Sequence, residues 1–185
     1  MVTPANALLD DIDQVVFDEE TIRQTVARLG AAISADYAGL NPLLVGSLTG
    51  VVIFMADLLR QITVPVSVDF MAVSHFASGQ HAGSVRITKD LDLPITGRHV
   101  LFVEDVVDTG LTCDYLLRTL RTRRPASLKV CSLFQRPYMR MVDVPIDYVG
   151  LTLPDRFVVG YGLDADEYYR NLPFAVTLKP GVRRE

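Results

Sequence analysis

The sequence has little basic charge: its lysines and arginines leave a formal charge of −4 and are scattered along the chain. A surface that holds nucleic acid by its phosphates needs a clustered positive excess, so no nucleic-acid partner is expected and any phosphate must be gripped locally. The one basic cluster, Arg118, Arg121, Arg123 and Arg124, is read as complementing the negative end of a helix. Cysteine is equally sparse. Cys113 and Cys131 have neither metal-ligand spacing nor a redox motif, which excludes a zinc site or disulfide framework and fits a reducing cytoplasm. No apolar stretch approaches the ~18 residues of a membrane span, and the first residues lack the basic-then-apolar order of an export signal. Neither membrane nor export is therefore expected. Repeats, low-complexity tracts and interdomain linkers are also missing, so residues 1–185 read as one domain. His75, His81 and His99 sit in no ligand pattern and are expected at the solvated surface.

What the chain does have is apolar bulk, 49% of 185 residues, enough for one sizeable core. From Asp18 to Ala38, the residues Ile22, Val26, Leu29 and Ile33 share one helical face, with Asp18 as cap and Gly39 and Pro42 as terminators. Short Val-rich runs follow at Leu43–Val45, Val66–Val73, Val100–Val103, Val130–Phe134 and Tyr148–Leu151. Runs of that length, bounded by turn residues, predict strands covered on both faces. Helical patterns at Val51–Ile62 and Thr112–Arg121 lie between them, so the fold class is α/β, an open parallel sheet with crossover helices. The polar, glycine-containing stretch between Val73 and Leu91 cannot build a core and reads as a mobile loop returning through Val85–Thr88.

Chemistry concentrates from Val100 to Thr112: an apolar strand, the adjacent acids Glu104 and Asp105, then Asp108-Thr109-Gly110-Leu111-Thr112 opening a helix. Ligands of open α/β sheets bind at the C-terminal ends of strands, and a turn that starts a helix offers amides and a favourable dipole to an anion. The loop can thus cradle a phosphate monoester, with Thr109 and Thr112 adding hydroxyls. Glu104 and Asp105 would repel a phosphate; ribose hydroxyls and hydrated Mg²⁺ suit them, and strand alternation points the two apart. Cys113, which opens the helix, is expected to be a small packing residue.

Val103 to Thr112 resembles the phosphoribosyl-pyrophosphate signature of type I phosphoribosyltransferases, in its hypoxanthine-guanine form. Val68–Ser74, Val85–Asp92 and Pro154–Asp164 resemble further segments of that family in the same order, giving coverage from about Pro42 to Lys179. The resemblance implies an open, mostly parallel twisted sheet flanked by helices, with a small hood and a mobile loop. It implies a purine-salvage enzyme that uses Mg²⁺ to join 5-phosphoribosyl-1-pyrophosphate to a 6-oxopurine, as a cytoplasmic homodimer or homotetramer. Carried over, Glu104 and Asp105 would hold the ribose, Asp108 would be the general base near N7, and the stretch Val106, Val107, Thr109, Gly110, Leu111 and Thr112 would take the phosphoribosyl phosphate. Thr49, Gly50 and Arg170 would meet pyrophosphate, for which a planar guanidinium is well suited. Arg136, Phe157, Val158 and Asp164 would serve the base, Phe157 by stacking and Val158 by its backbone. Glu104, Asp105 and Asp164 would serve the metal.

Three positions depart from the family pattern. Leu48-Thr49-Gly50 stands where a Leu-Lys-Gly is usual, so one cation is missing. Arg136, followed by Pro137, replaces the lysine that reads the 6-oxo group; a guanidinium still donates but reaches differently. His75-Phe76 replaces the Ser-Tyr pair of the lid. These departures motivate two rivals: a non-enzymatic sensor of phosphoribosyl-pyrophosphate or a nucleotide, and a transferase acting on xanthine or another base.

Overall fold

Residues 8–75 and 85–182 are described by the computed structural model. In chain order the elements are β1 (Ile12–Phe17), α1 (Glu19–Asp36), β2 (Leu43–Leu48), α2 (Val51–Gln61), β3 (Ser67–His75), β4 (Val85–Lys89), β5 (His99–Val107), α3 (Leu111–Thr122), β6 (Ser127–Gln135), a 3-10 turn (Pro137–Met139), β7 (Tyr148–Thr152) and β8 (Ala175–Leu178). Six strands make the main sheet in the order β4-β3-β2-β5-β6-β7. All neighbours are parallel except β4, which pairs antiparallel with β3 at one edge.

The two central strands explain why the sequence reads as continuous apolar runs. Along β2 and β5, successive side chains enter opposite layers: Leu44, Leu101 and Val103 pack with α1 and α2, while Leu43, Val45, Val100 and Phe102 pack with α3. Both faces are dry, so the period-2 polar alternation of a half-exposed strand never develops. Each such residue as Phe102 or Leu44, wholly buried, contributes roughly 1.5–3 kcal/mol by leaving water. α1 buries Ile22, Val26, Leu29 and Ile33 as expected, and the Asp18 carboxylate accepts the Thr21 amide at 2.8 Å. It ends at Asp36, earlier than the sequence pattern suggested, because the Tyr37 N–H closes the last turn onto Ile33 and Ala35 and Gly39 then takes a left-handed φ of 76°.

β1 and β8 form a separate antiparallel pair, the hood, to which Val159 adds a bridge with Val176. Sequence reading did not find either strand. Between them residues 160–170 make a chain of tight turns, with positive φ at Tyr161, Asp166, Glu167 and Tyr169.

Three further expectations need correction. β5 extends beyond Val103 to Val107, since Glu104, Val106 and Val107 keep pairing with Ser132, Phe134 and Gln135 of β6; the two acids, expected at the strand's C-terminal end, lie within it. Of the basic cluster, Arg121 occupies the last turn of α3, but Arg118 pairs with Asp114 and Arg123 reaches Asp90 at 2.8 Å, so half of it makes specific ion pairs. His99 starts β5, is half-buried, and its Nδ1 lies 2.8 Å from Ser127 Oγ, so it is not a solvated surface group. The proposed mobile loop falls largely on residues 76–84, outside the described residues, as does His81.

Candidate active site

Strand order places the C-terminal ends of β2 and β5 side by side, and a polar cavity opens there. Its volume is about 650 Å³, and it collects Thr49 and Gly50 after β2; Glu104, Asp105, Val106, Val107, Asp108, Thr109, Gly110 and Thr112 from β5 and its loop; and Asp164 and Arg170 from the hood. Segments more than a hundred residues apart in sequence thus meet at one cavity.

The acids face different neighbours. Glu104 is 6% exposed and its charge is felt by the Cys113 thiol, on the α3 side. Asp105 lies against Gly50, where its Oδ2 fills the space of an absent Cβ, and Oδ1 accepts the Val106 amide at 2.7 Å. Burial, reinforced by Asp105, holds the Glu104 carboxyl well above its usual pKa. Burial also lifts Asp105 to about 6, against the pull of the Val106 amide and Arg170. Two acids kept out of water with raised pKa values are typical of a site awaiting a ligand that replaces their solvation. Cys113 is buried with its thiol pKa pushed up by desolvation, so the packing role expected of it stands.

Asp108 follows β5. Oδ2 sits 3.4 Å from Arg136 Nη1, while Oδ1 is buried with no hydrogen-bond partner among the described residues. Arg136 also donates through Nη2 to the Arg156 carbonyl at 3.1 Å, tying the Asp108 loop to the segment before Phe157. Gly110 adopts φ 81°, and α3 begins at Leu111, whose amide donates to Thr109 Oγ1 at 3.4 Å. In the hood, Arg170 binds Asp164 at 2.9 Å, the Gly162 carbonyl at 2.8 Å and Glu167 at 3.0 Å.

Not every expected residue lines this cavity. Leu111 is exposed at the start of α3, and Arg136 lies behind Asp108. Phe157, 43% exposed, borders a separate hollow with Asp13, Arg156 and Thr177, and the Val158 side chain belongs to the apolar core, which leaves only its backbone for recognition. His75 ends β3, and Phe76 lies outside the described residues. Sequence reasoning missed Ser47 and Glu167, which border the cavity. Ser47 carried no signal in an apolar strand; Glu167 could have been found as the acid three residues before Arg170.

Comparison with known proteins agrees with this geometry. The family model described as "Phosphoribosyl transferase domain" matches residues 15–166, and the chain belongs to that family. Within it, the chain is 49% identical over 176 residues to the hypoxanthine-guanine phosphoribosyltransferase of Streptococcus agalactiae, covering 95% of this chain and 98% of that protein. It is 48% identical over 189 residues to the enzyme of the same name from Mycobacterium avium, covering 98% and 93%. Among solved structures, a hypoxanthine phosphoribosyltransferase of Staphylococcus aureus superposes with a TM-score of 0.92 at 40% identity, covering 99% of this chain and all of that one.

Proposed function

We propose that this protein is a hypoxanthine-guanine phosphoribosyltransferase of purine salvage, converting 5-phosphoribosyl-1-pyrophosphate and hypoxanthine or guanine to IMP or GMP and pyrophosphate. The observation that carries the reading is Asp108: one carboxylate oxygen is held by Arg136, the other is buried and bare beside a phosphate-sized loop. As the bond from C1 of the ribose to pyrophosphate breaks and N9 of the base bonds to C1, the base must shed a proton. Asp108 accepts it from N7, ordinary general-base assistance. The loop Asp108–Thr112 holds the 5′-phosphate by amides and the Thr109 and Thr112 hydroxyls, and Glu104 and Asp105 hold the ribose hydroxyls. Arg136 donates to the 6-oxo group, Phe157 stacks on the purine, and the Val158 backbone meets its edge. Thr49, Gly50 and Arg170 receive pyrophosphate.

Magnesium is part of the proposal. The acids of the cavity offer oxygen donors, and among the described residues no cluster of three or more His, Cys, Asp or Glu forms a ready-made cage. That donor set suits Mg²⁺, which keeps its waters and is held by one or two carboxylates together with substrate phosphates. Asp164, Asp105 and Glu104 are the residues that would hold it; when bound it supplies positive charge to the departing pyrophosphate. A single domain, a homodimeric or homotetrameric assembly and a cytoplasmic location belong to the same reading.

Purified protein, phosphoribosyl-pyrophosphate, Mg²⁺ and each base, followed by absorbance, form the test. Nucleotide from hypoxanthine or guanine supports the reading, and competition by xanthine ranks the bases. Phosphoribosyl-pyrophosphate binding with no nucleotide from any base would instead favour a sensor.

A further inference from the structure

Arg136 and Arg170 both rest on carboxylates, Asp108 and Asp164. Arg140, absent from the signature and outside the cavity lining, has none among the described residues. Its Nη1 is buried without a hydrogen-bond partner among the described residues, and its Nη2 donates to the Val107 carbonyl at 3.5 Å, the outer limit of a useful bond. A guanidinium taken partly out of water with one weak acceptor is unfavourable unless an anion compensates it.

Its place in the fold names the anion. The Arg140 side chain packs on the phosphate loop: its Cδ lies 3.2 Å from where a Cβ on Gly110 would stand. The next two residues fasten it there, since the Met141 and Val142 amides both donate to the Thr109 carbonyl, at 2.9 and 3.1 Å. Gly110 must be glycine on this side as well, because a Cβ would run into the Val142 carbonyl. The cation is therefore held by the backbone against the rear of the turn whose front faces the cavity.

We propose that Arg140 is a positioning residue for the 5′-phosphate: it supplies, from behind the loop, the positive charge that the loop's own neutral amides and hydroxyls lack, and so separates phosphorylated from unphosphorylated ribosyl ligands. The proposal deepens the transferase reading and rests on it. Loss of this cation weakens ligands carrying the 5′-phosphate and leaves ligands without it untouched.

The experiment compares wild type with R140Q, R140M and R140K, using calorimetry with GMP and with guanosine, alongside steady-state kinetics. R140Q and R140M are expected to raise the GMP Kd and the phosphoribosyl-pyrophosphate KM about tenfold or more, with guanosine Kd and hypoxanthine KM changed by less than about twofold, while R140K recovers most of the loss. Two removal variants keep the comparison available should one fail to fold. An unchanged GMP Kd overturns the proposal, as does equal weakening of GMP and guanosine, which would mean a distorted loop. Wild-type protein that binds no GMP at all would bring down the transferase reading and this proposal with it.

Discussion

Asp105 and Gly50 are in contact through a missing side chain: the carboxylate oxygen of the first stands where a Cβ on the second would be. The backbone after β2 and the Asp105 carboxylate of β5 thereby form one surface. Gly162 repeats the device from the hood, at φ 97°, with the Gly50 carbonyl where its own Cβ would be. Gly50→Ala must displace one of these partners. A loss of about 100-fold in kcat/KM is expected from a shift of the order of 1 Å in the acid. Circular dichroism should show the fold retained; wild-type kinetics from the variant would contradict the packing argument.

Asp108→Asn keeps the shape and removes the proton acceptor. We expect kcat to fall about 10²–10⁴-fold while phosphoribosyl-pyrophosphate still binds within a few-fold of wild type. Stopped-flow turnover and equilibrium binding check the two halves separately, and retained turnover would remove the general-base role.

Asp105 makes stability depend on pH with a definite sign. Its carboxyl is raised to about 6 in the folded protein, so the folded state holds the proton more tightly than the unfolded chain does. That contribution is complete below about pH 4 and disappears as pH climbs through about 6, a change of roughly 2–3 kcal/mol. Asp105→Asn should therefore be more stable than wild type at about pH 7.5, with the gap narrowing toward about pH 5. Denaturant titration across this range checks it; a gap independent of pH would contradict the burial account.

Arg136 holds Asp108 with one nitrogen and the Arg156 carbonyl with another. Arg136→Met should raise the hypoxanthine KM about tenfold and leave the phosphoribosyl-pyrophosphate KM nearly unchanged, with Arg136→Lys intermediate. Equal effects on both substrates would show that the residue serves the loop and not the base.

Chelation of Mg²⁺ should abolish turnover and leave the thermal midpoint within about a degree, because no three-ligand metal cage contributes to the fold among the described residues. Thermal melts with and without chelator, beside the absorbance assay, measure both.

The sheet was legible in sequence because β2 and β5 are buried on both faces, where local composition and structural role coincide. The loop after Val107 was legible for the same reason: Glu104 through Thr112 are contiguous and each has a distinct chemical demand. β1 and β8 were not. They are short strands, β1 largely exposed and β8 buried, that pair across almost the whole chain, Ile12 with Leu178 and Phe17 with Ala175, so no local window contains the reason for either. The left-handed turn at Asp166 and Glu167 was hidden likewise, since hydrophobic periodicity does not register it, although the spacing of Glu167 from Arg170 was readable. Arg140 gave no signal because its neighbours in space, Val107 and Gly110, lie about thirty residues earlier in the chain.

Strand order also works as a ruler. β2 bears the turn assigned to pyrophosphate, β5 the acids assigned to the sugar, and β6 leads to Arg136 on the purine side, three consecutive parallel neighbours. Adjacent strands of such a sheet stand about 4.8 Å apart. In the proposed reading, the spacing of the pyrophosphate turn, the sugar acids and the purine reader is therefore set by the hydrogen-bond ladder of three adjacent strands.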